Sequence, residues 1–359
     1  MKVRRAARRF AALAGLLVCA ALGLLVLALF GVQAGLVATA LGFTIACLPA
    51  PVYVALVLWI DRFEAEPPRL LALAFFLGAT LSVFTAALLN TFVGDALMAV
   101  PGMELLTLAS GGAIEELTKG AILVTLFLWR RDEFDGVIDG IVYAGMVGLG
   151  FAMMENVQYY GQAALAGGLQ GSARLFILRG CMAPFAHPLF TSVTGIALGL
   201  ALRTRSRALR AIAAIAGLSL AAALHAVWNI AAAYGAATFM SAYLYLMAPL
   251  FALGLGIIAV ELRREGRCVR EQLAPEREAG LITQDEHARL GSVFGRLGES
   301  WGALRRGGLP ALRASIRRHQ IASELAFLRA RVAAGLVPDD DEARALAADY
   351  VRELSTPAR

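Results

Sequence analysis

Charge is what this 359-residue chain has little of: Asp, Glu, Lys and Arg make up 17 % of it, against 59 % hydrophobic residues. Soluble domains average about 25 % charged and about 45–50 % apolar, so a single water-soluble domain is excluded. The scarcity is uneven. Residues 1–260 hold 16 basic and 12 acidic side chains, whereas residues 261–359 hold 17 and 15. Cysteine is scarce too. Cys19, Cys47, Cys181 and Cys268 are scattered, which excludes a disulfide framework and a Cys-x-x-Cys metal knuckle and leaves them as small core residues. The net charge of +6 is modest, its placement matters more than its size, and no nucleic-acid partner is expected.

What is present is a series of long apolar runs. A membrane helix needs roughly 20 apolar residues to cross about 30 Å of hydrocarbon. Eight segments qualify: 10–32, 36–60, 70–93, 103–129, 136–160, 175–202, 209–234 and 238–262. The first follows Lys2, Arg4, Arg5, Arg8 and Arg9, as a signal peptide would, but its apolar run is too long and lacks a small-x-small cleavage pattern. It reads as an anchored helix. The expected fold is therefore all-α: a polytopic membrane protein with about eight transmembrane helices (1–262) and a C-terminal cytoplasmic helical tail (263–359).

Lys and Arg mark cytoplasmic loops. The N-terminal cluster, Arg62 and Arg69, Arg130 and Arg131, Arg203/Arg205/Arg207/Arg210 and Arg263/Arg264/Arg267 fall on one side of the eight spans. The opposite loops hold no Lys or Arg, and only Arg174 and Arg179 sit toward that outer side, where they read as snorkelling groups. Both termini are expected in the cytoplasm.

An ionisable residue near the bilayer centre costs about 2.5–3.5 kcal/mol on insertion scales, so each one needs a reason. The fourth span contains Glu115-Glu116-Leu117-Thr118-Lys119, and the fifth carries Glu155-Asn156. The sixth carries His187 between Pro184 and Pro188, and the seventh His225 with Asn229. At 1.5 Å per residue, Glu116 lies about 21 Å from Arg130, Glu155 about 24 Å from Asp139, His187 about 24 Å from Arg203 and His225 about 22 Å from Arg210. Four helices thus place polar groups in one layer, displaced toward the outer leaflet.

Taken singly, these residues have plain structural readings. Glu115/Lys119 is equally well an intrahelical ion pair, and a lone membrane His or Asn is more often an interhelical hydrogen bond than a catalyst. Asp135 and Asp139 read as interfacial charges, and the glycines of the fifth span as close-packing positions. It is the conjunction that favours a site. Two imidazoles with carboxylates suit a Zn²⁺ ion with an open water position, and His187, His225, Glu155 and Glu116 are the metal candidates. A remaining glutamate serves as general base, Lys119 neutralises a glutamate or stabilises charge, and Asn156 and Asn229 donate to a developing oxyanion. Pro184 also frees the Gly180 carbonyl, which should distort the helix at His187 and open it to water.

Glu115-Glu116-x-x-Lys119, Phe151-x-x-x-Glu155-Asn156, His187 in a Pro-flanked helix and His225-x-x-x-Asn229 together resemble the PrsW family of bacterial intramembrane proteases. The stretch from Glu133 to Gly140 leading into Gly148-Leu149-Gly150-Phe151 is similar to that family as well. So is Asp61-Arg62-Phe63-Glu64-Ala65-Glu66-Pro67-Pro68, where Glu-Ala-Glu-Pro replaces the usual Glu-Pro-Glu-Pro. The resemblance implies a peptidase of the bacterial plasma membrane, distantly related to CAAX-processing and Abi-type proteases. Its implied partners are the bilayer and a membrane-anchored substrate such as an anti-sigma factor. Glu115, Glu116, Glu155, His187 and His225 are its implied catalytic or metal-binding residues, with a metal-free Glu/His mechanism as the variant. The competing readings are a transporter or channel using the same Glu/Lys/His layer, for which no internal repeat is visible, and an inactive membrane scaffold.

The tail is Arg-rich and helical in pattern. Thr283-x-x-Glu286 predicts a capped helix start, and Pro338-Asp339-Asp340 predicts another. Residues 301–319, basic with apolar residues between, could lie on anionic lipid; the solvated face of a small helical bundle is the commoner outcome, and a cytoplasmic protein is the tail's other candidate partner. His287 and His319 have no neighbouring ligands, so no metal is assigned there.

Overall fold

The computed structural model describes residues 2–130, 134, 136–202, 204 and 206–355, with side chains from residue 14 onward. Arg131, Glu133, Asp135, Arg203 and Arg205, used above for orientation and motif, lie outside the described residues, as do the side chains of the N-terminal basic cluster. Among the described residues every regular element is helical.

The chain divides into two compact units, one of residues 1–59 and 66–254, the other of residues 60–65 and 255–359. The first unit holds α1 (Lys2–Ala34), α2 (Leu36–Cys47), α3 (Ala50–Ile60, to Trp59), α4 (Pro68–Leu77), α5 (Val83–Met98) and α6 (Glu104–Trp129). It continues with α7 (Val137–Phe176), α8 (Ala186–Ala201), α9 (Arg207–Ala233), α10 (Ala236–Ala242) and the start of α11 (Ala248–Gln272). Wide π-helical turns at Gly78–Ser82 and Tyr243–Met247 join α4 to α5 and α10 to α11, and a third, Ile177–Met182, follows α7.

Among the described residues six stretches are long and apolar enough to cross a membrane: Ala14–Ala34, Leu36–Ile60, Pro68–Met98, Val137–Ala201, Arg207–Ala233 and Ala236–Gln272. The stretch Val137–Ala201 is 65 residues long, yet it is no single rod. Gly167 and Gly168 leave helical geometry, Gly168 with φ +60°, a region open to glycine at little steric cost. Beyond that break the chain folds back: the Ser172 hydroxyl donates to the Tyr160 carbonyl at 2.8 Å. The expected outer loop 161–172 is thus helical on either side of a two-glycine break. Helix α6 is outside the set of six because every 18-residue window of it contains Glu115, Glu116 and Lys119.

The segment Val137–Ala201 is the centre of the first unit: 94 % of its apolar window is buried, against 22 % for Ala14–Ala34 and 6 % for Ala236–Gln272. Glycines make this enclosure possible. A Cβ on Gly140 would stand 2.2 Å from the Gly195 carbonyl oxygen, and one on Gly195 2.0 Å from that of Gly140. Helices α7 and α8 therefore meet backbone to backbone, and a Cβ on Gly150 would come 1.9 Å from the Phe75 oxygen of α4. Asp139, expected at the interface, is buried and caps α7 by accepting from the Gly136 amide at 2.6 Å. Glu66 of the Glu-Ala-Glu-Pro stretch accepts from the Tyr143 hydroxyl at 2.6 Å, which ties that stretch to α7.

The second unit comprises the end of α11, α12 (Ala274–Glu278), α13 (Gln284–Leu290), α14 (Val293–Ala333) and α15 (Asp341–Ser355). Thr283 caps α13, accepting from the Glu286 amide; of the expected capping box, this arm is present. The short stretch 60–65 belongs to this unit. Phe63 is 1 % exposed beneath the Arg296 guanidinium, 4.3 Å from its ring centroid. Arg296 also donates to the carbonyls of Leu290 and Arg62 and to the Ser323 hydroxyl, so one buried cation organises the unit. His319 donates to Glu299 rather than to a metal partner.

Candidate active site

Four helices and one turn bring the ionisable residues together. On α6 the i, i+3 and i, i+4 spacings put Glu115, Glu116 and Lys119 on one face. The Lys119 ammonium lies 2.8 Å from Glu116 Oε1, 3.5 Å from Glu115 Oε2 and 3.0 Å from His187 Nδ1. From α9, His225 Nδ1 reaches Glu116 Oε1 at 3.0 Å. From α7, Glu155 Oε2 stands 3.0 Å from His187 Nε2. The layer inferred from helical rise is one connected cluster. Glu116 and Lys119 are wholly buried, and Glu115, His187 and His225 nearly so.

The hydrogen bonds assign the imidazole protons. A carboxylate only accepts, so His225 donates from Nδ1 to Glu116 and His187 donates from Nε2 to Glu155. The other ring nitrogens, His225 Nε2 and His187 Nδ1, stand 3.7 and 3.8 Å from one atom, Glu115 Oε2, and His187 Nδ1 also accepts from the Lys119 ammonium at 3.0 Å. Ligand atoms of Glu115, His187 and His225 all lie within 4.8 Å of one another, a set able to hold a metal ion. Two donors about 2.0–2.1 Å from a tetrahedral zinc stand roughly 3.4 Å apart, so the donor set fits with small adjustment. Among the expected metal candidates, Glu116 and Glu155 each accept from an imidazole N–H, of His225 and His187 respectively. Glu115 stands beside these nitrogens with only the longer Lys119 contact, at 3.5 Å, whereas Glu116 takes Lys119, His225 and Thr191.

Two side chains in the site escaped the sequence reading. The Thr191 hydroxyl donates to Glu116 Oε2 at 3.0 Å. Its signal was available, since Thr191 follows His187 by four residues and shares its face of α8. Arg179, expected to snorkel outward, instead turns inward from the π-helical turn. It pairs with Glu155, donates from Nε to Asn156 Oδ1 at 2.6 Å and stacks on the Tyr159 ring at 3.9 Å. A charge inside an apolar run was the signal, and its partner could not be read from sequence. Asn229 is half-buried one turn beyond His225 and makes no hydrogen bond to the cluster among the described residues. The distortion expected at His187 is present: residues 183–185 are non-helical, and the Gly180 carbonyl, deprived of a donor by Pro184, accepts from the Tyr53 hydroxyl.

An all-helical apolar bundle that encloses carboxylate, imidazole and ammonium groups defines a polytopic membrane protein with an ionisable centre. The model of the PrsW family of intramembrane metalloproteases matches residues 66–254, more than half of the chain, and the chain belongs to that family. It is similar to Protease PrsW of Geobacillus kaustophilus (strain HTA426), 32 % identical over 141 residues, which cover 39 % of this chain and 58 % of the relative. It is 34 % identical over 99 residues to Protease PrsW of Bacillus subtilis (strain 168), covering 28 % and 44 %. Protease PrsW of Clostridioides difficile (strain 630) is 31 % identical over 105 residues, covering 28 % and 44 %. The chain thus spans 44–58 % of the length of these curated relatives. No solved structure matches it.

Proposed function

We propose that this chain is an intramembrane endopeptidase of the bacterial plasma membrane that cuts a membrane-anchored regulatory protein, such as an anti-sigma factor, near the outer leaflet. The observation that carries the reading is the convergence of Glu115 with the lone pairs of His187 and His225, inside an apolar bundle, in a PrsW-family chain. Eight crossings with cytoplasmic termini complete the arrangement, with residues 1–262 as the peptidase domain and 263–359 as a cytoplasmic tail. That tail contacts a cytoplasmic protein or anionic lipid.

In this reading Glu115, His187 and His225 would hold a zinc ion, which supplies Lewis acidity and lowers the pKa of a bound water. Glu116 and Glu155 fix the two imidazoles in the tautomers that present those lone pairs. Lys119, His225 and Thr191 engage both oxygens of Glu116, whereas the Arg179 and His187 donors to Glu155 both fall on Oε2, which leaves Glu155 Oε1 to take the proton of the attacking water. One observation favours the metal-free variant: the Lys119 ammonium stands 3.0 Å from His187 Nδ1 and already serves the cluster as a cation. Elemental analysis of purified protein separates the two variants.

The test is cleavage of a membrane-anchored substrate by reconstituted protein. Wild type should cut it, and Glu115→Gln and His225→Ala should insert normally and cut nothing. Full cleavage by both variants would sink the proposal.

A further inference from the structure

Beside the cluster lies a cavity of about 20 Å³ lined by Tyr53, Phe75, Ala152, Asn156, Arg179 and Gly180, among others. It has room for about one water molecule, or for one carbonyl oxygen of similar size. Its walls are apolar except for the groups brought by Tyr53, Asn156 and Arg179.

The Asn156 amide has a fixed orientation. Arg179 Nε is an obligate donor 2.6 Å away, so Asn156 must present Oδ1 to it, and the Nδ2 hydrogens are turned elsewhere. Nδ2 has no hydrogen-bond partner among the described residues. One turn further along the same face of α7, Tyr160 is 1 % exposed and its hydroxyl is a buried orphan beside Gly180. Unpaired buried polar groups are uncommon in native proteins and point to a bound water, an ion or a functional role. Here the unpaired Asn156 amide stands in the wall of a water-sized space, and the Tyr160 orphan lies one turn away, outside the lining. The Arg179 charge is held at its edge by Glu155.

We propose that Asn156, oriented by Arg179, binds the scissile carbonyl oxygen of the substrate and stabilises it as it becomes an oxyanion. This deepens the peptidase reading above and rests on it. The water oxygen forms a bond to the carbonyl carbon, the carbonyl π pair moves onto its oxygen, and the water proton passes to Glu155. As the oxyanion reforms the carbonyl, the C–N bond breaks and Glu155 returns the proton to the departing nitrogen. The Asn156 Nδ2–H donors gain strength as charge develops on that oxygen, so their contribution belongs to the transition state rather than to substrate binding. Arg179 acts through Asn156 and Glu155 as a positioning residue. Asn229, which makes no hydrogen bond to the cluster among the described residues, is not assigned this task.

The experiment compares Asn156→Asp, Asn156→Ala and Arg179→Lys with wild type on a membrane-anchored peptide in liposomes, with insertion and thermal unfolding followed in parallel. Asn156→Asp keeps the side-chain shape and the Arg179 contact but removes both amide donors. It should lower kcat by about 10²–10³-fold while KM stays within about two-fold. Asn156→Ala should match it, which separates lost donors from an added negative charge, and Arg179→Lys should fall between these and wild type. The affinity of wild type for a peptide aldehyde, whose hydrate carries the tetrahedral oxygen, should exceed that for the matching alcohol, and Asn156→Asp should abolish the difference. Asn156 variants with wild-type kcat, or with a raised KM and unchanged kcat, overturn the oxyanion assignment and leave the peptidase reading standing. Wild type that cuts nothing overturns both.

Discussion

His225 donates from Nδ1 to Glu116 Oε1 at 3.0 Å, and this contact turns its Nε2 lone pair toward Glu115. The adjacent glutamates of α6 are thereby given different tasks. Glu116 orients a histidine, and Glu115 stands with the lone pairs. Replacing Glu115 by Gln should therefore abolish stoichiometric metal binding, whereas Glu116→Gln should retain the metal with about 10–100-fold weaker affinity. Elemental analysis and chelator competition distinguish the two, and equal behaviour of both variants would reverse the assignment.

Lys119 is the cation closest to Glu116 and is wholly buried. Its removal leaves buried carboxylates uncompensated, and breaking such a pair costs about 3–5 kcal/mol. Lys119→Met should lower the thermal unfolding temperature in detergent. Adding Glu116→Gln should restore part of the loss, because the group left unpaired is then neutral.

Gly140 and Gly195 meet with no room for a side chain on either. Gly195→Ala must push α8 away from α7, and overpacking of this kind costs about 1–3 kcal/mol. These two helices carry His187 and Glu155, so their separation should also lengthen the 3.0 Å contact between them. The expected outcome is a lower unfolding temperature with loss of cleavage, whereas Gly256→Ala, with nothing near its would-be Cβ, should change neither.

In the second unit, the His319 hydrogen bond holds the Glu299 carboxyl below its ordinary range, against the opposing effect of burial, with Arg289 and Arg318 adding to the lowering. A depressed carboxyl stabilises the folded state above its unfolded pKa and loses that contribution as pH falls through the folded value. The difference in unfolding temperature between wild type and Glu299→Gln should therefore be largest near neutrality and shrink on acidification. A difference that grows toward acid pH would contradict the pairing.

The sequence alone determined that this is a helical membrane protein, because runs of about 20 apolar residues have few other uses. It also pointed to the glutamates, the lysine and the two histidines that cluster, since charge in such runs is too costly to be incidental and a fixed helical rise converts sequence distance into depth. The PrsW motifs pointed to the same residues. Three things lay beyond it. Helical rise gives height but not azimuth, so the inward turn of Arg179 and the unpartnered position of Asn229 depended on how the helices rotate. Glu115 and Glu116 are neighbours with identical chemistry, and only the imidazole nitrogens, assigned by through-space hydrogen bonds, separate their places. The allotment of residues 60–65 to the tail unit was equally invisible. It depends on Phe63 meeting Arg296, 233 positions away in the chain, and no local pattern records such a contact.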